Sequence, residues 1–583
     1  MESVIGSQPK LPTPKDVPAE MSCDSAADII NDWLVSCKEH AECNSHNFFA
    51  AKASEIPDGG ELGAEKSDFD PSLPKRLIQL GENAKTDRLV QTAQLLRGSI
   101  NSRAPYAALS YCWGGNGTFK TELHTLPEFE KDIQVEKLPQ TIKDAFDLTK
   151  RLGLNYLWVD AICIVQGVKE EWEEESQKMG HIYSNAKIVL SAMSSASVTD
   201  GMFTTRTTTP LSKDIEALGG LLRVRRNLNH EIIISCRTKS NYWWEKHINA
   251  EFPLLSRGWA FQERMLATRI VHFTPSELVW ECQKTRKCEC RVVESNLYPA
   301  MNNLGSALRI CLQQPNDERS MRQMWREIVN SYSVRKLTQI EDKLPALGGI
   351  AGLLKERSGD IYAAGLWERS LPFDLLWRCD QSAVLQSKKM RSPSWSWISV
   401  DGAVKWPVSQ HSNEEQPLKY ISSTTYFECG AEGVEVCDVE CELDGNDKYG
   451  RVRTGRIMLK TRLTPTTIHY VSDETWKGMY GTDWAVQAGI SAQAPFWPDI
   501  SQKGLHSDPC RSNMPDGFYL MEVMKSRDIT GSWEEALVVR SKCGLEYEYE
   551  RVGVAANVSP ASRQWTTGKS WFDSPHSDKI ILI

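Results

Sequence analysis

Residues 138–165 read LPQTIKDAFDLTKRLGLNYLWVDAICIV, and the two halves of this stretch follow different periodicities. In the first half Ile142, Ala145, Phe146, Thr149 and Leu152 recur at the spacing of an amphipathic helix. Pro139 suits its first turn and Gly153 a stop just past its end. The second half, Tyr156 to Val165, is apolar on both faces, as a central strand of a parallel sheet must be. One charge, Asp160, interrupts it.

The same alternation continues on both sides. YAALSY (106–111) reads as a buried strand that runs into the turn Gly114-Gly115-Asn116-Gly117. KEEWEEESQKMGHIYSNA reads as a second helix and KIVLSAMS as a third strand. Strand, helix, strand, helix, strand in this order predicts a doubly wound α/β unit with a parallel sheet and right-handed crossovers. Beyond it, SRGWAFQERMLA reads as a helix, RIVHF and ELVWEC as strands, and residues 303–357 as mostly helical. From about Trp395 β-type segments dominate, including TYFECG, VEVCDVECEL and GRIMLKTRL. The expected division is a flexible leader with a short helix (AADIINDWLVSCKEH) and an acidic linker over 1–72, then the α/β domain over 73–265. A mostly helical connecting region over 266–394 and a β-rich region over 395–583 follow.

Composition bounds the function. A chain of 583 residues is too long for one core. A net charge of −8 argues against a surface built for nucleic acid. The N-terminal MESVIGSQPKLPTPKDVPAE lacks the apolar core of a signal peptide, and the 16 cysteines follow no disulfide-framework spacing. Reduced thiols in the cytoplasm, with the nucleus as the second compartment, follow from this. No apolar run approaches the roughly 18 residues of a membrane span. The 20 tryptophans favour aromatic-rich cores or pockets over disorder.

In doubly wound sheets ligands sit outside the carboxyl ends of the strands. Those ends carry Ser110 with the glycine turn, Asp160 with Cys163 and Gln166, and Ser191. The glycine turn is neither a P-loop, because Phe119 precedes Lys120-Thr121, nor a dinucleotide fingerprint, because Lys120 stands where the third glycine belongs. Its backbone amides remain able to face an anion. On the second helix Trp172, Met179, Ile182, Tyr183 and Ala186 form one apolar stripe, and Glu175 falls on it. A buried acid must be paired or protonated, so Glu175 is a general acid/base, a ligand for a hydroxyl pair, or half of a salt bridge, for which Arg257 is a candidate partner. SRGWAFQERML places Arg257, Gln262 and Glu263 around Trp259, lining a cleft or bonding across an interface. No metal site is expected. Cys37, His40, Cys43 and His46 recur every three residues, but an α-helix would fan them across half its circumference, and only a loop could gather them around one ion. Cys282, Cys288 and Cys290 lack paired spacing and read as buried thiols, and Cys163 has no histidine placed to activate it.

Taken together, YAALSYCWGG, LPQTIKDAFDLTKRLGLNYLWVDAICIVQ, WEEESQKMGHIYSNA and SRGWAFQERML resemble the fungal heterokaryon incompatibility (HET) domain, over roughly residues 106–265. WLVSCKEHAEC, LPKRLI, DKLPALGGIAG, GLWERSLPFDLLW and PSWSWISVDG resemble segments that flank the domain in relatives. The chain departs from the family pattern at Gly167, where relatives place an acidic residue soon after the glutamine. The resemblance implies a role in non-self recognition that triggers growth arrest or programmed cell death, with protein partners or self-association. It also implies a TIR/flavodoxin-like sheet. By the likeness to TIR domains, some of which cleave NAD with a glutamate, NAD becomes a candidate substrate. On that alternative Glu175 and Asp160 are the candidate catalytic acids. Ser110, Trp113, Gly114, Gly115, Gln166, Trp172, Arg257 and Gln262 are the candidate ligand-binding set.

Overall fold

In the computed structural model the opening stretch divides as its periodicity requires, into α5 (Gln140–Arg151) followed by β4 (Tyr156–Trp158). The structure describes residues 17–44, 73–81, 87–96, 104–115, 119–206, 252–291, 304–314, 317–379, 384–385, 392–406, 434–473, 482, 484–488, 493–499, 517–528, 531–542, 547–556, 571–572 and 577–583. TYFECG, His46, Asn116 and Gly117 lie outside them. The chain forms two units, Met1–Ile310 and Cys311–Ile583.

The first unit contains α1 (Cys23–Cys37), α2 (Ala41–Asn44), β1 (Arg76–Gln79), β2 (Arg88–Gln91), α3 (Thr92–Leu96), β3 (Tyr106–Ser110) and α4 (Leu126–Lys131). After α5 and β4 come α6 (Asp160–Cys163), α7 (Lys169–Asn185), β5 (Ile188–Ser191), α8 (Gly258–Leu266), β6 (Arg269–Phe273), β7 (Leu278–Cys282) and β8 (Arg286–Cys288). Eight strands form one sheet in the order β2-β1-β4-β3-β5-β6-β7-β8. Only β4, β3, β5 and β6 run parallel. β1 is antiparallel to β4 and β2, and β7 and β8 are antiparallel additions on the other side. The three strands expected to be parallel, β3, β4 and β5, are so, but the sheet as a whole is mixed and not parallel throughout. The short connections Thr274–Glu277 and Gln283–Thr285 leave no room for a crossover helix, so β6, β7 and β8 must fold back as hairpins.

The central strands are buried throughout: Tyr106, Ala107, Ala108, Leu109 and Ser110 are each at most 3% exposed. α5 packs Ile142, Ala145 and Phe146 onto them, with Pro139 as its N-cap and Gly153 left-handed (φ 71°) just beyond its C-cap. The strand expected through Val165 ends early. β4 stops at Trp158, and Asp160 opens the single turn of α6, its Oδ1 accepting from the Ala161 amide at 2.7 Å. α1, expected in a flexible leader, contributes Ala26, Ala27, Ile30 and Trp33 to the same core as β3.

In the second unit α10 (Glu318–Ser333) and α11 (Gly348–Ser358) follow α9 (Leu304–Leu312), which begins in the first. Its large strands are β9 (Glu435–Leu443), β10 (Val452–Thr461), β11 (Leu463–Tyr470), β12 (Trp484–Gln487), β13 (Ala494–Pro498), β14 (Phe518–Asp528), β15 (Gly531–Ser541), β16 (Glu548–Ala556) and β17 (Asp578–Leu582). They pair in the order β9-β10-β17-β16-β13-β12-β11-β14-β15, and a further pairing of β16 with β15 closes the last six of these strands into a barrel. Trp325, Trp377, Trp395 and Trp397 are fully buried in this unit. Their indole N–H groups donate to backbone carbonyls, as buried tryptophans require; Trp325 and Trp397 share the carbonyl of Gly365.

Candidate functional site

Parallel strands β3 and β4 end side by side, and the chain leaving each carries polar groups into the same space. Ser110, the last residue of β3, donates from its hydroxyl to Glu263 of α8. Asp160, just past β4, accepts from the indole nitrogen of Trp113 at 2.8 Å. Arg257, the N-cap of α8, donates to the carbonyl of Tyr111. The charges of Glu263 and Asp160 both act on the Arg257 guanidinium. Burial alone would lower the proton affinity of Arg257, but Glu263 and Asp160 outweigh it and hold the cation charged.

The two acids differ in consequence. Burial raises Glu263 to about 7 against the pull of Arg257, so near neutral pH its protonated and charged forms coexist. Burial also raises Asp160 above the usual carboxylate range, opposed by Arg257 and Trp113. The phenol of Tyr111 is pushed well up by burial and by Asp160, and stays neutral. Glu263 and Ser110 are sealed, at 5% and 3% exposed, while Trp113, Asp160 and Arg257 are partly exposed. The result is a buried acid that is part-protonated near neutral pH, beneath a partly open rim of one indole, one carboxylate and one guanidinium.

Other members of the sequence-derived set take supporting places. Gln166 donates from its side chain to the carbonyls of Ile164 (3.0 Å) and Asp160 (3.3 Å), fastening α6. Gly114 adopts φ 82°, and a Cβ there would run into Ser197 after β5, so only glycine fits. Gly115 faces open space. Trp172 and Trp259 meet edge to face at 6.3 Å between α7 and α8. Gln262 is buried on α8.

Glu175 is fully buried, as its stripe requires, but its partners are elsewhere. One oxygen accepts from the Lys75 backbone amide at 3.1 Å and the other from Lys178 at 2.9 Å. Its partner is thus Lys178, not Arg257. Neighbouring Glu171 accepts from Arg76, Lys75 and the Val165 amide; these partners outweigh burial and hold it down at about 2. The thiol of Cys163 is pushed up to about 12 by burial, which removes it as a nucleophile.

A second buried chain escaped sequence reading. Ser191 meets His272 Nδ1 at 3.0 Å, and His272 Nε2 lies 3.3 Å from Glu281, which is bound by Arg264 (2.7 Å) and Arg286 (3.1 Å). Burial pushes His272 down toward its neutral form against the pull of Glu281. The two arginines hold Glu281 well below the usual range despite burial. Although serine, histidine and glutamate are in sequence here, all three are at most 3% exposed, and they tie β5, β6 and β7 together. The signal was the hairpin register: His272 faces Val279, which puts Glu281 on its diagonal.

Residues 106–263 match the family model described as heterokaryon incompatibility protein (HET), so the chain carries a HET domain over this segment. The match opens on the first residue of β3 and closes on Glu263, enclosing the whole Ser110–Asp160–Arg257–Glu263 cluster. Comparison with curated proteins and with solved structures returned no match. Among the described residues no helix is long and apolar enough to cross a membrane.

Proposed function

We propose, with the HET domain of residues 106–263 as premise, that this protein is an effector of fungal non-self recognition. In this reading the domain triggers growth arrest or cell death through regulated association with a protein partner or a second copy. The observation that carries it is the family match itself, which supports a role related to heterokaryon incompatibility. Induced expression of the full chain in a filamentous fungus tests it: growth arrest is expected, and normal growth at a verified protein level sinks it.

A second reading, cleavage of a nucleotide such as NAD, is favoured by one observation. Glu263, with a pKa of about 7, sits beside Ser110, Arg257 and Asp160 at the ends of parallel strands. There a neutral carboxyl can give a proton to a leaving group, while Asp160 and Arg257 stabilise charge. Glu175 has both oxygens engaged by Lys75 and Lys178, so the reading rests on Glu263. Cellular NAD in strains expressing wild type, Glu263→Gln and Glu175→Gln separates the two. Cleavage predicts a fall in NAD with wild type and Glu175→Gln that Glu263→Gln abolishes. Growth arrest with NAD unchanged leaves association as the mechanism.

A further inference from the structure

Cys37 ends α1, Cys43 lies in α2, and His40 stands between them. The premise of one continuous α-helix fails here, because α1 ends at Cys37, α2 starts afresh at Ala41, and the amides of Glu39, His40 and Cys43 close i→i+3 bonds. Glu39 N donates to Ser36 O, His40 N to Cys37 O and Cys43 N to His40 O. The break between the two helices lets the Cys-x2-His-x2-Cys side chains gather on one side, where a continuous α-helix would fan them apart. Cys282, the last residue of β7 and 239 residues further along, meets that side.

The ligand atoms of Cys37, His40, Cys43 and Cys282 all lie within 4.8 Å of one another. His40 Nδ1 is 3.7 Å from Cys43 Sγ and 3.5 Å from Cys282 Sγ. A tetrahedron with zinc–sulfur bonds of about 2.3 Å and a zinc–nitrogen bond of about 2.0 Å has sulfur–nitrogen edges of about 3.5 Å. The three cysteines are free thiols and buried. Thr285 N donates to Cys282 Sγ at 3.3 Å, an outer-shell bond that suits a thiolate, and Arg269 grips the α2 turn through the carbonyl of Cys43 at 2.9 Å.

We propose that Cys37, His40, Cys43 and Cys282 form a structural zinc site that clips the α1–α2 segment to the end of β7. Three sulfurs and one imidazole complete a tetrahedral set and leave no position for a substrate, so the ion serves folding and not chemistry. Binding exchanges the three thiol protons for the ion. The resulting net negative charge faces Arg269, which is held at the same turn. The other close group, Glu277 with Cys288 and Cys290, offers three ligands, and Glu277 already accepts from the Cys290 amide, so it serves as the control.

Metal analysis of the full chain, expressed without a metal-binding tag, tests this. One zinc per chain is expected, lost in Cys43→Ser and Cys282→Ser but kept in His40→Cys and Cys288→Ser. Cobalt put in place of zinc should give the intense visible band of tetrahedral thiolate coordination, shifted in His40→Cys. That spectrum decides the matter on the wild-type chain if the serine variants do not fold. Zinc retained in both serine variants, a weak octahedral cobalt spectrum, iron in place of zinc, or a disulfide among Cys37, Cys43 and Cys282 would each overturn the proposal.

Discussion

Glu263 makes the stability of this protein depend on pH in a defined direction. Its pKa in the fold is about 7, against 4.5 for the free side chain, so the folded state holds the proton more tightly than the unfolded one. Stability therefore falls as pH rises from about 4.5 through 7, and the loss is complete above that, approaching about 3 kcal/mol. Glu263→Gln should flatten this slope, measured as denaturation midpoints between pH 5 and 8; an unchanged slope would place the titration on another group. At this scale the helical wheel was enough to find Glu175 buried, since burial follows from the stripe. It could not find the Lys75 amide, because a partner 100 residues away is brought in by the sheet. Glu263 was visible beside Arg257 and Trp259, but its proton affinity depends on burial against Ser110 and Asp160, which no local pattern encodes.

β3 is the element on which the site depends, because it ends in Ser110 and leads into the glycine turn. Leu109 is fully buried and opposes Leu190 of β5. Leu109→Ala should cost about 3 kcal/mol through the lost side chain and the cavity left behind. The loss should appear as weakened hydrogen-exchange protection over residues 188–191, and intact protection would show that the sheet closes around the gap. α5 was legible to within its caps, because an amphipathic stripe bounded by proline and glycine is a local property. The end of β4 was not. Val159 to Val165 is as apolar as a strand, but the amides of Cys163 and Ile164 bond back to the carbonyls of Val159 and Asp160, and the Asp160 carboxylate takes the Ala161 amide, so it closes as a helical turn. The same applies to α1: its cysteine spacing was legible, but the break between it and α2 was not.

On the scale of the whole molecule, each unit carries buried charge that joins distant parts of the chain. In the second unit Arg551 of β16 donates to Asp499 at 2.7 and 3.0 Å and to the carbonyls of Leu375 and Trp377, and stacks 3.6 Å over the Trp377 ring. Arg551→Ala leaves Asp499 buried without its cation and should destabilise the unit by about 3–5 kcal/mol in chemical denaturation. Adding Asp499→Leu should recover part of that; no recovery would assign the loss to the Trp377 stack. The sequence by itself determined the α/β alternation, the helices with clear stripes, the β-rich C-terminal region and the HET resemblance, because these are properties of short windows. Only the tertiary structure decided the antiparallel flanks of the sheet, the closure of the barrel and the meeting of Ser110, Asp160, Arg257 and Glu263. The same holds for Cys282 beside Cys37, His40 and Cys43. Each of these joins residues far apart in the chain, and burial, the force that joins them, acts on the folded surface and not along the sequence.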